Sequence, residues 1–321
     1  MSVVAIDARD AFIEPLRGWG RYAKELIGHL PPDLETRVFE RGDIGPEVWF
    51  EQVTLPRALR REGAALVHAT NCFLPLRRSC PGVVTIHDLA FEDHRGDFAR
   101  TTGAKYRYFA PRAARGAQRV ICVSEFTAGD VMRRYGVDRS RIRVVPNAPS
   151  LPIGSAPVPD GDPYLLAVGD LREKKNLRRL VDAWASLRTG HRLVLAGLGD
   201  LQGLPAAVEA VGYLDDERLD ALMRGADVLV HPSLYEGFGL VLLEAMARGV
   251  PVAAAGTTAL PETGGDAAVY FDPLDVSSIA RAIHEALAAR ADLAARGRER
   301  AAQFSWRRTA DETAAVYREL L

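Results

Sequence analysis

The chain reads as an α/β protein built from two doubly wound domains, and three observations carry that reading. Short apolar runs rich in β-branched residues alternate with longer stretches of helical periodicity, the pattern of a parallel sheet covered on both faces. A stretch crowded with Pro, Gly and Ser, PSLPIGSAPVPDGDP at 149–163, interrupts this alternation near the middle and holds neither a helix nor a central strand. The 321 residues are long for one core and comfortable for two of about 150 each.

The elements follow in order. VVAID (3–7), ALVHA (65–69), GVVTIHD (82–88) and RVICVS (119–124) read as buried strands, with GRYAKELIGHL and FTAGDVMRRYGV as helices among them. RIRVVPNAPS ends the first unit. Beyond the Pro-rich stretch, YLLAVGD (164–170), RLVLAG (192–197), DVLVHPS (227–233), PVAAAG (251–256) and AAVYFD (267–272) are strands. NLRRLVDAWASL, DERLDALMRGA and FGLVLLEAMARG are helices between them. After residue 275 the chain is rich in Ala and Arg, and it closes with FSWRRTADETAAVYREL, where Trp306, Ala310, Ala314 and Tyr317 recur at helical spacing. The expected division is therefore 1–150, 151–303 and a last helix at 304–321. Two such domains leave a cleft between them, and ligands of open α/β sheets bind at the carboxyl ends of strands.

Composition narrows the class. With 48% hydrophobic and 26% charged residues the chain has an ordinary soluble profile, and no apolar run reaches the roughly 18 residues of a membrane span. The start, MSVVAIDARD, lacks the basic and apolar regions of a secretory signal. Cys72, Cys80 and Cys122 are odd in number and form no C-x-x-C, so they read as reduced thiols in a cytoplasmic protein. Charge is uneven: residues 1–150 carry 23 Lys and Arg against 18 Asp and Glu, and the remainder 18 against 24. Residues 95–143 alone carry 12 basic residues against 4 acidic ones. The plain interpretation is a solvated Arg-rich surface. The sharper one is an anionic partner, either a phosphate-bearing acceptor or the inner face of a membrane. Nucleic acid is not expected, because no recognition motif accompanies the charge.

Chemistry concentrates at strand-to-helix loops. In HPSLYEGFGLVLLEAMARGVPV (231–252), Glu236 stands before a nearly continuous apolar run and Glu244 inside it. The helix is expected from about Phe238, which puts Glu244 two turns in and the two carboxylates about 12 Å apart if both were helical. Gly237 and Gly239 bracket the helix start, where small residues let an anion approach backbone N–H groups. An ionised carboxylate accepts from two hydroxyls and donates none, which suits Glu244 to a ribose diol and Glu236 to a sugar. The structural alternative for Glu244 is a backbone or arginine partner. In VGDLREKKNLRRL (168–180), Lys174 and Lys175 follow a strand and can neutralise a diphosphate, and Asn176 can cap the next helix. His87 and Asp88 follow the strand VVTIHD, where an imidazole can meet a substrate hydroxyl or simply be a satisfied interior histidine. Gly18 and Gly20 in GWGRYAKEL form a tight loop before a helix.

Together these blocks resemble the retaining nucleotide-sugar glycosyltransferases of the GT-B fold, family 4, mannosyltransferase-like, with the E-x7-E signature. ADVLVHPSLYEGFGLVLLEAMARGVPVAAA carries the signature pair Glu236 and Glu244. VGDLREKKNL, GWGRYAKEL, TIHDLAFEDHRGDF, VICVSEFTAGDVMRRYGVDRSRIRVVPNAPS, LPETGGDAAVYFDP and FSWRRTADETAAVYREL match further blocks in order, nearly over the whole chain. The resemblance implies that Glu236 contacts the transferred sugar, Glu244 the ribose, and the N–H groups of Gly237, Phe238 and Gly239 the distal phosphate. It implies that Lys175, with Lys174 or Arg172, supports the leaving diphosphate and that Gly18 and Gly20 lie near the phosphate. His87 would contact the donor sugar near the reacting carbon, Gly212 and Tyr213 would border the nucleobase, and the last helix would cross back to the first domain.

One position departs from the family pattern. Asp170 follows the glycine that ends the strand, where many relatives carry an arginine. The expected reaction moves a hexose from a nucleotide diphosphate sugar to an acceptor hydroxyl with retention, by a front-face route and without a cofactor or metal. The donor leans toward GDP-mannose, with a UDP-sugar as the other option. The acceptor is a glycan, a lipid-linked sugar or a small molecule. Asp215 and Asp216 read as solvated helix-start residues rather than metal ligands. Competing classes are an epimerase or phosphorylase on the same plan and a non-catalytic nucleotide-sugar binder. A nicotinamide oxidoreductase is disfavoured, since GLGDLQG (197–203) misplaces its last glycine.

Overall fold

The computed structural model describes residues 3–13, 16, 18–40 and 46–321. The chain divides into two units, one comprising Met1–Asn147 with Ser305–Leu321 and the other Ala148–Phe304. The breaks fall after residues 147 and 304, where the sequence suggested 150 and 303.

The first unit is a parallel sheet of β1 (Val4–Asp7), β2 (Thr36–Phe39), β3 (Leu66–Ala69), β4 (Gly82–Ile86), β5 (Arg119–Cys122) and β6 (Ile142–Val144), in the order β2-β1-β3-β4-β5-β6. β1, β3 and β4 are buried along their whole length, which is why they read as unbroken apolar runs. Alternate residues face opposite layers. Val67, Val84, Ile86 and Val120 join one core cluster, while Val4, Ile6, Leu66, Val83 and Ile121 join another. β2 escaped the sequence reading because it is an edge strand, partly exposed, with Thr36 and Arg37 breaking its apolar character.

The last helix, Trp306–Arg318, packs on the helix Gly18–His29 and contributes Val316 and Tyr317 to the second cluster. A buried hydrogen-bonded chain ties it to the sheet. Tyr317 Oη lies 2.6 Å from His68 Nδ1, His68 Nε2 lies 2.8 Å from Thr85 Oγ1, and Thr85 Oγ1 lies 3.1 Å from Tyr22 Oη. Burial pushes His68 down to about 3, so the ring is neutral. Glu319 adds ion pairs to Arg119 at 2.6 Å and Arg143 at 2.7 Å.

The second unit repeats the plan with β7 (Tyr164–Val168), β8 (Arg192–Ala196), β9 (Val208–Gly212), β10 (Val228–His231), β11 (Val252–Ala255) and β12 (Ala268–Phe271), in the order β12-β11-β10-β7-β8-β9. From β7 the chain steps outward through β8 and β9, then returns to the other side of β7 as β10. The connections after β7 and β10 therefore leave in opposite directions, which opens a crevice at their carboxyl ends. Arg248, with a fully buried side chain, fixes the start of the Pro-rich stretch to this unit. It donates to Leu151 O and Pro152 O at 2.9 Å each, to Asp220 Oδ1 at 2.7 Å and to Glu244 O at 2.8 Å.

Candidate active site

The carboxyl edge of β7 is shaped by glycines. At Gly169 the lysine stem lies against the backbone, with a Cβ placed 2.9 Å from Lys175 Cε, and the φ of +143° is one that glycine adopts without strain. At Gly197, with φ +154°, a Cβ would collide with the Gly169 carbonyl. Gly197 N donates to Gly212 O at 2.8 Å, beside a register slip between Leu195 and Ala196. Gly212 (φ +72°) thus closes the same edge, and Tyr213 beside it is 47% exposed. Asp170 pairs with Arg172 at 3.0 Å.

A 3-10 turn, Glu173–Lys175, follows, and Asn176 takes the left-handed conformation before the helix Leu177–Ser186. Its side chain does not cap that helix, contrary to the sequence expectation. Asn176 Nδ2 instead donates to Pro232 O at 3.1 Å and Pro273 O at 2.7 Å, pinning together the loops after β7, β10 and β12. Leu234 N adds a bond to Lys174 O at 2.8 Å.

This pinning brings Lys175 and Glu236 together at the switch point. Lys175 Nζ donates to Glu236 Oε1 at 2.5 Å, and both side chains are largely buried. His231 Nε2 lies 3.1 Å from the same oxygen, with Ser233 Oγ 3.2 Å behind it. Burial works to raise the Glu236 carboxyl, but Lys175, Lys174 and His231 outweigh it and hold the group well below its usual 4.5. Glu236 is therefore an ionised, acceptor-only group. Burial, reinforced by Lys175 and Lys174, lowers His231 against the pull of Glu236.

The turn after Glu236 is held from several sides. Glu236 N donates to Thr258 Oγ1 at 3.2 Å, and Thr263 Oγ1 donates to Phe238 O. The Phe238 ring meets Phe304 edge-on at 5.9 Å. Gly237, Phe238 and Gly239 are all buried. Gly239, at φ +101°, is the residue before the helix Leu240–Ala247, so the helix begins two residues later than the sequence suggested. Glu244 is its fifth residue, just over one turn in rather than two. It is 6% exposed and accepts from Ser150 Oγ at 3.4 Å, a partner from the Pro-rich stretch that sequence reasoning missed. Asp215 is the N-cap of the helix Asp216–Gly225, bonded to Arg218 N at 2.8 Å.

In the first unit, His87 directly follows β4 and is buried. Its Nε2 donates to Thr70 O at 2.9 Å, which leaves Nδ1 as the acceptor of a neutral ring. Burial lowers its pKa against the Thr70 bond and the charges of Asp88 and Asp10. Trp19 stacks on the ring at 5.7 Å and Tyr22 meets it edge-on at 4.6 Å. Gly18 and Gly20 lie in the first turn of the helix Gly18–His29 and not in a loop before it, contrary to the sequence expectation; Gly18 is exposed, whereas Gly20 is buried where a Cβ would strike the Asp10 carbonyl. The sequence reading also missed a buried charge cluster after β1. Arg9 pairs with Asp7 at 3.1 Å and Glu51 at 2.8 Å, and Lys105 reaches Glu51 and Glu47 at 2.7 Å each. Burial raises Asp7 to about 6 against the pull of Arg9. The available signal was ARD immediately after an apolar strand. The three thiols are unpaired, and burial pushes each of them up, away from nucleophilic chemistry.

The family description Glycosyl transferases group 1 matches residues 153–304, and Glycosyltransferase Family 4 matches residues 17–149. O-antigen chain mannosyltransferase B of Escherichia coli is 31% identical over 299 residues, covering 82% of this chain and 76% of that protein. The chain belongs to the group 1 glycosyltransferases. This glycosyltransferase is also 32% identical over 236 residues to the MMP alpha-(1->4)-mannosyltransferase of Mycolicibacterium hassiacum, covering 65% of this chain and 56% of that protein. Among solved structures, sucrose-phosphate synthase from Thermosynechococcus elongatus superposes with TM-score 0.78 at 23% identity, over 100% of this chain and 99% of that one. Anabaena HepE, solved with UDP-glucose, superposes with TM-score 0.72 at 18% identity, over 99% and 100%. The glycosyltransferase has the GT-B fold of these neighbours.

Proposed function

We propose that this glycosyltransferase moves a hexose from a nucleotide diphosphate sugar to an acceptor hydroxyl with retention at the anomeric carbon. One observation supports it most: Lys175 and Glu236 meet at the β7/β10 switch point, directly before a buried Gly-Phe-Gly turn and the helix that carries Glu244. Glu236, held ionised, would accept from sugar hydroxyls. Lys175, with Lys174 or Arg172, would support the departing diphosphate, aided by the N–H groups of Gly237, Phe238 and Gly239. Glu244 would exchange its Ser150 contact for the ribose diol. Neutral His87 would offer Nδ1 to a donor-sugar hydroxyl. Gly212 and Tyr213 would border the base, and Gly18 and Gly20 the phosphate. These side chains supply the charge a diphosphate needs, so the reaction is proposed to run without a metal, and chelator should leave the rate unchanged. In a front-face route the departing phosphate takes the acceptor's proton.

The mannosyltransferase relatives favour a GDP-mannose-like donor, while neighbours solved with UDP and UDP-glucose keep a UDP-sugar as the second option. The acceptor is proposed to be a glycan, a lipid-linked sugar or a small molecule, reached from the cytoplasm. Two variants test the assignment. Glu244→Ala is expected to weaken nucleotide binding about ten- to a hundredfold, as loss of a charged hydrogen-bond partner does. Glu236→Gln is expected to lower kcat by about 10²–10³ with nucleotide affinity little changed. Calorimetry and steady-state rates separate the two, and the opposite pattern would overturn the roles. Proton NMR of the product's anomeric signal decides retention.

A further inference from the structure

A pocket of about 640 Å³ lies in the first unit, lined among others by Gln52, Arg57, Arg60, Arg77, Arg78 and Gln118. The Arg77–Arg78 segment precedes β4, and Gln118 immediately precedes β5, so the pocket sits at the amino-terminal edge of that sheet. His87 follows β4 at the opposite, carboxyl-terminal edge. The pocket is thus separate from the chemistry described above and does not depend on it.

Its wall is built and its charge is unbalanced. Arg78 donates to Pro75 O at 3.1 Å, Gly116 O at 2.5 Å and Gln118 Oε1 at 2.9 Å. It lies over Gly82, where a Cβ would stand 2.5 Å from its Nε. Gln118 Oε1 also accepts from Gly82 N at 2.7 Å. Gln52 Oε1 accepts from Leu76 N at 3.0 Å, which fixes the orientation of its amide. The amide nitrogen, Gln52 Nε2, is then a buried donor with no acceptor among the described residues, as is Arg78 Nε. Among the described residues no carboxylate lines the pocket. Arg57, Arg60 and Arg77 are exposed and form no ion pair with a described residue. Several other arginines of the unit have carboxylate partners, Arg134 with Asp93, Arg139 with Glu125, and Arg119 and Arg143 with Glu319, while Arg112, Arg115 and Arg141 donate to backbone carbonyls.

We propose that this pocket binds a phosphate-bearing anion. Guanidinium groups present paired N–H donors that match phosphate oxygens, and an oxyanion would also accept from an orphaned amide. The phosphate comes either from a small free ligand or from the headgroup of an anionic lipid, and two arms distinguish the sources. The first titrates the full chain with inorganic pyrophosphate by calorimetry, with the donor site kept saturated by the nucleoside diphosphate that raises the melting temperature. The second sediments it with phosphatidylglycerol or phosphatidylcholine vesicles. Each compares the natural chain with Arg60→Gln/Arg77→Gln and with Arg60→Lys/Arg77→Lys. Both arginines are exposed, so folding should survive, and the melting shift given by nucleotides should be unchanged in both variants. A free-phosphate site predicts pyrophosphate binding about tenfold weaker or more in the Gln variant, with most of it kept in the Lys variant. A headgroup site predicts loss of phosphatidylglycerol sedimentation in the Gln variant, with phosphatidylcholine inert throughout. Identical pyrophosphate isotherms together with identical vesicle sedimentation in the natural chain and the Gln variant would overturn the proposal.

Discussion

Two glutamates eight residues apart live in different electrostatic surroundings. Glu236 is clamped by cations and held well below its ordinary value, while Glu244 sits in an apolar helix against a serine hydroxyl. The depressed Glu236 contributes stability that is present above the ordinary carboxylate value of 4.5 and is lost as pH falls through its lower folded value. His87 is depressed from 6.5, so it stays neutral through that pH. The pH profile of kcat/KM is therefore expected to be flat across 6.5, with an acid limb at lower pH, measured with saturating acceptor. An inflection at 6.5 that disappears in His87→Ala would contradict the neutral, buried imidazole. At this scale the carboxylates and Lys175 were legible, because charge inside or beside an apolar run is conspicuous. Asn176 was misread and Ser150 unseen for one reason: their partners are remote in sequence. Asn176 binds carbonyls 56 and 97 residues away, and Ser150 a carboxylate 94 away.

At the scale of elements, fully buried parallel strands announced themselves, whereas the edge strands β2 and β9 did not. β2 has only exposed and half-buried positions and β9 a single buried one, so neither period nor apolar run marks them. The helix start moved from Phe238 to Leu240 because Gly239 takes a left-handed φ that local sequence only permits and tertiary packing selects. The close approach of the β7 and β8 ends gives a sharper test. Gly197→Ala meets both a strained φ and a backbone carbonyl, and is expected to destabilise the second unit by about 2–4 kcal/mol. Urea unfolding measures this; unchanged stability would mean that the edge is not as tight as described.

For the chain as a whole, the Pro-rich stretch and the helical spacing of the last residues were enough to expect two α/β units and a terminal helix. The hydrogen-bonded chain from Tyr317 through His68 and Thr85 to Tyr22 lay beyond the sequence, since it joins four separate elements by side chains alone. Tyr317→Phe leaves a buried imidazole nitrogen without its partner and is expected to cost about 1–3 kcal/mol in thermal unfolding, with nucleotide binding by the second unit unchanged. The most direct test of the account is the melting temperature of the natural chain and of Glu244→Ala with GDP, UDP and ADP in turn. One nucleotide at a hundred times its Kd is expected to stabilise the natural chain by about 2.7 kcal/mol, and the shift is expected to shrink in Glu244→Ala. If no nucleoside diphosphate moves the natural chain's melting temperature, the donor site is not where Lys175, Glu236 and Glu244 lie.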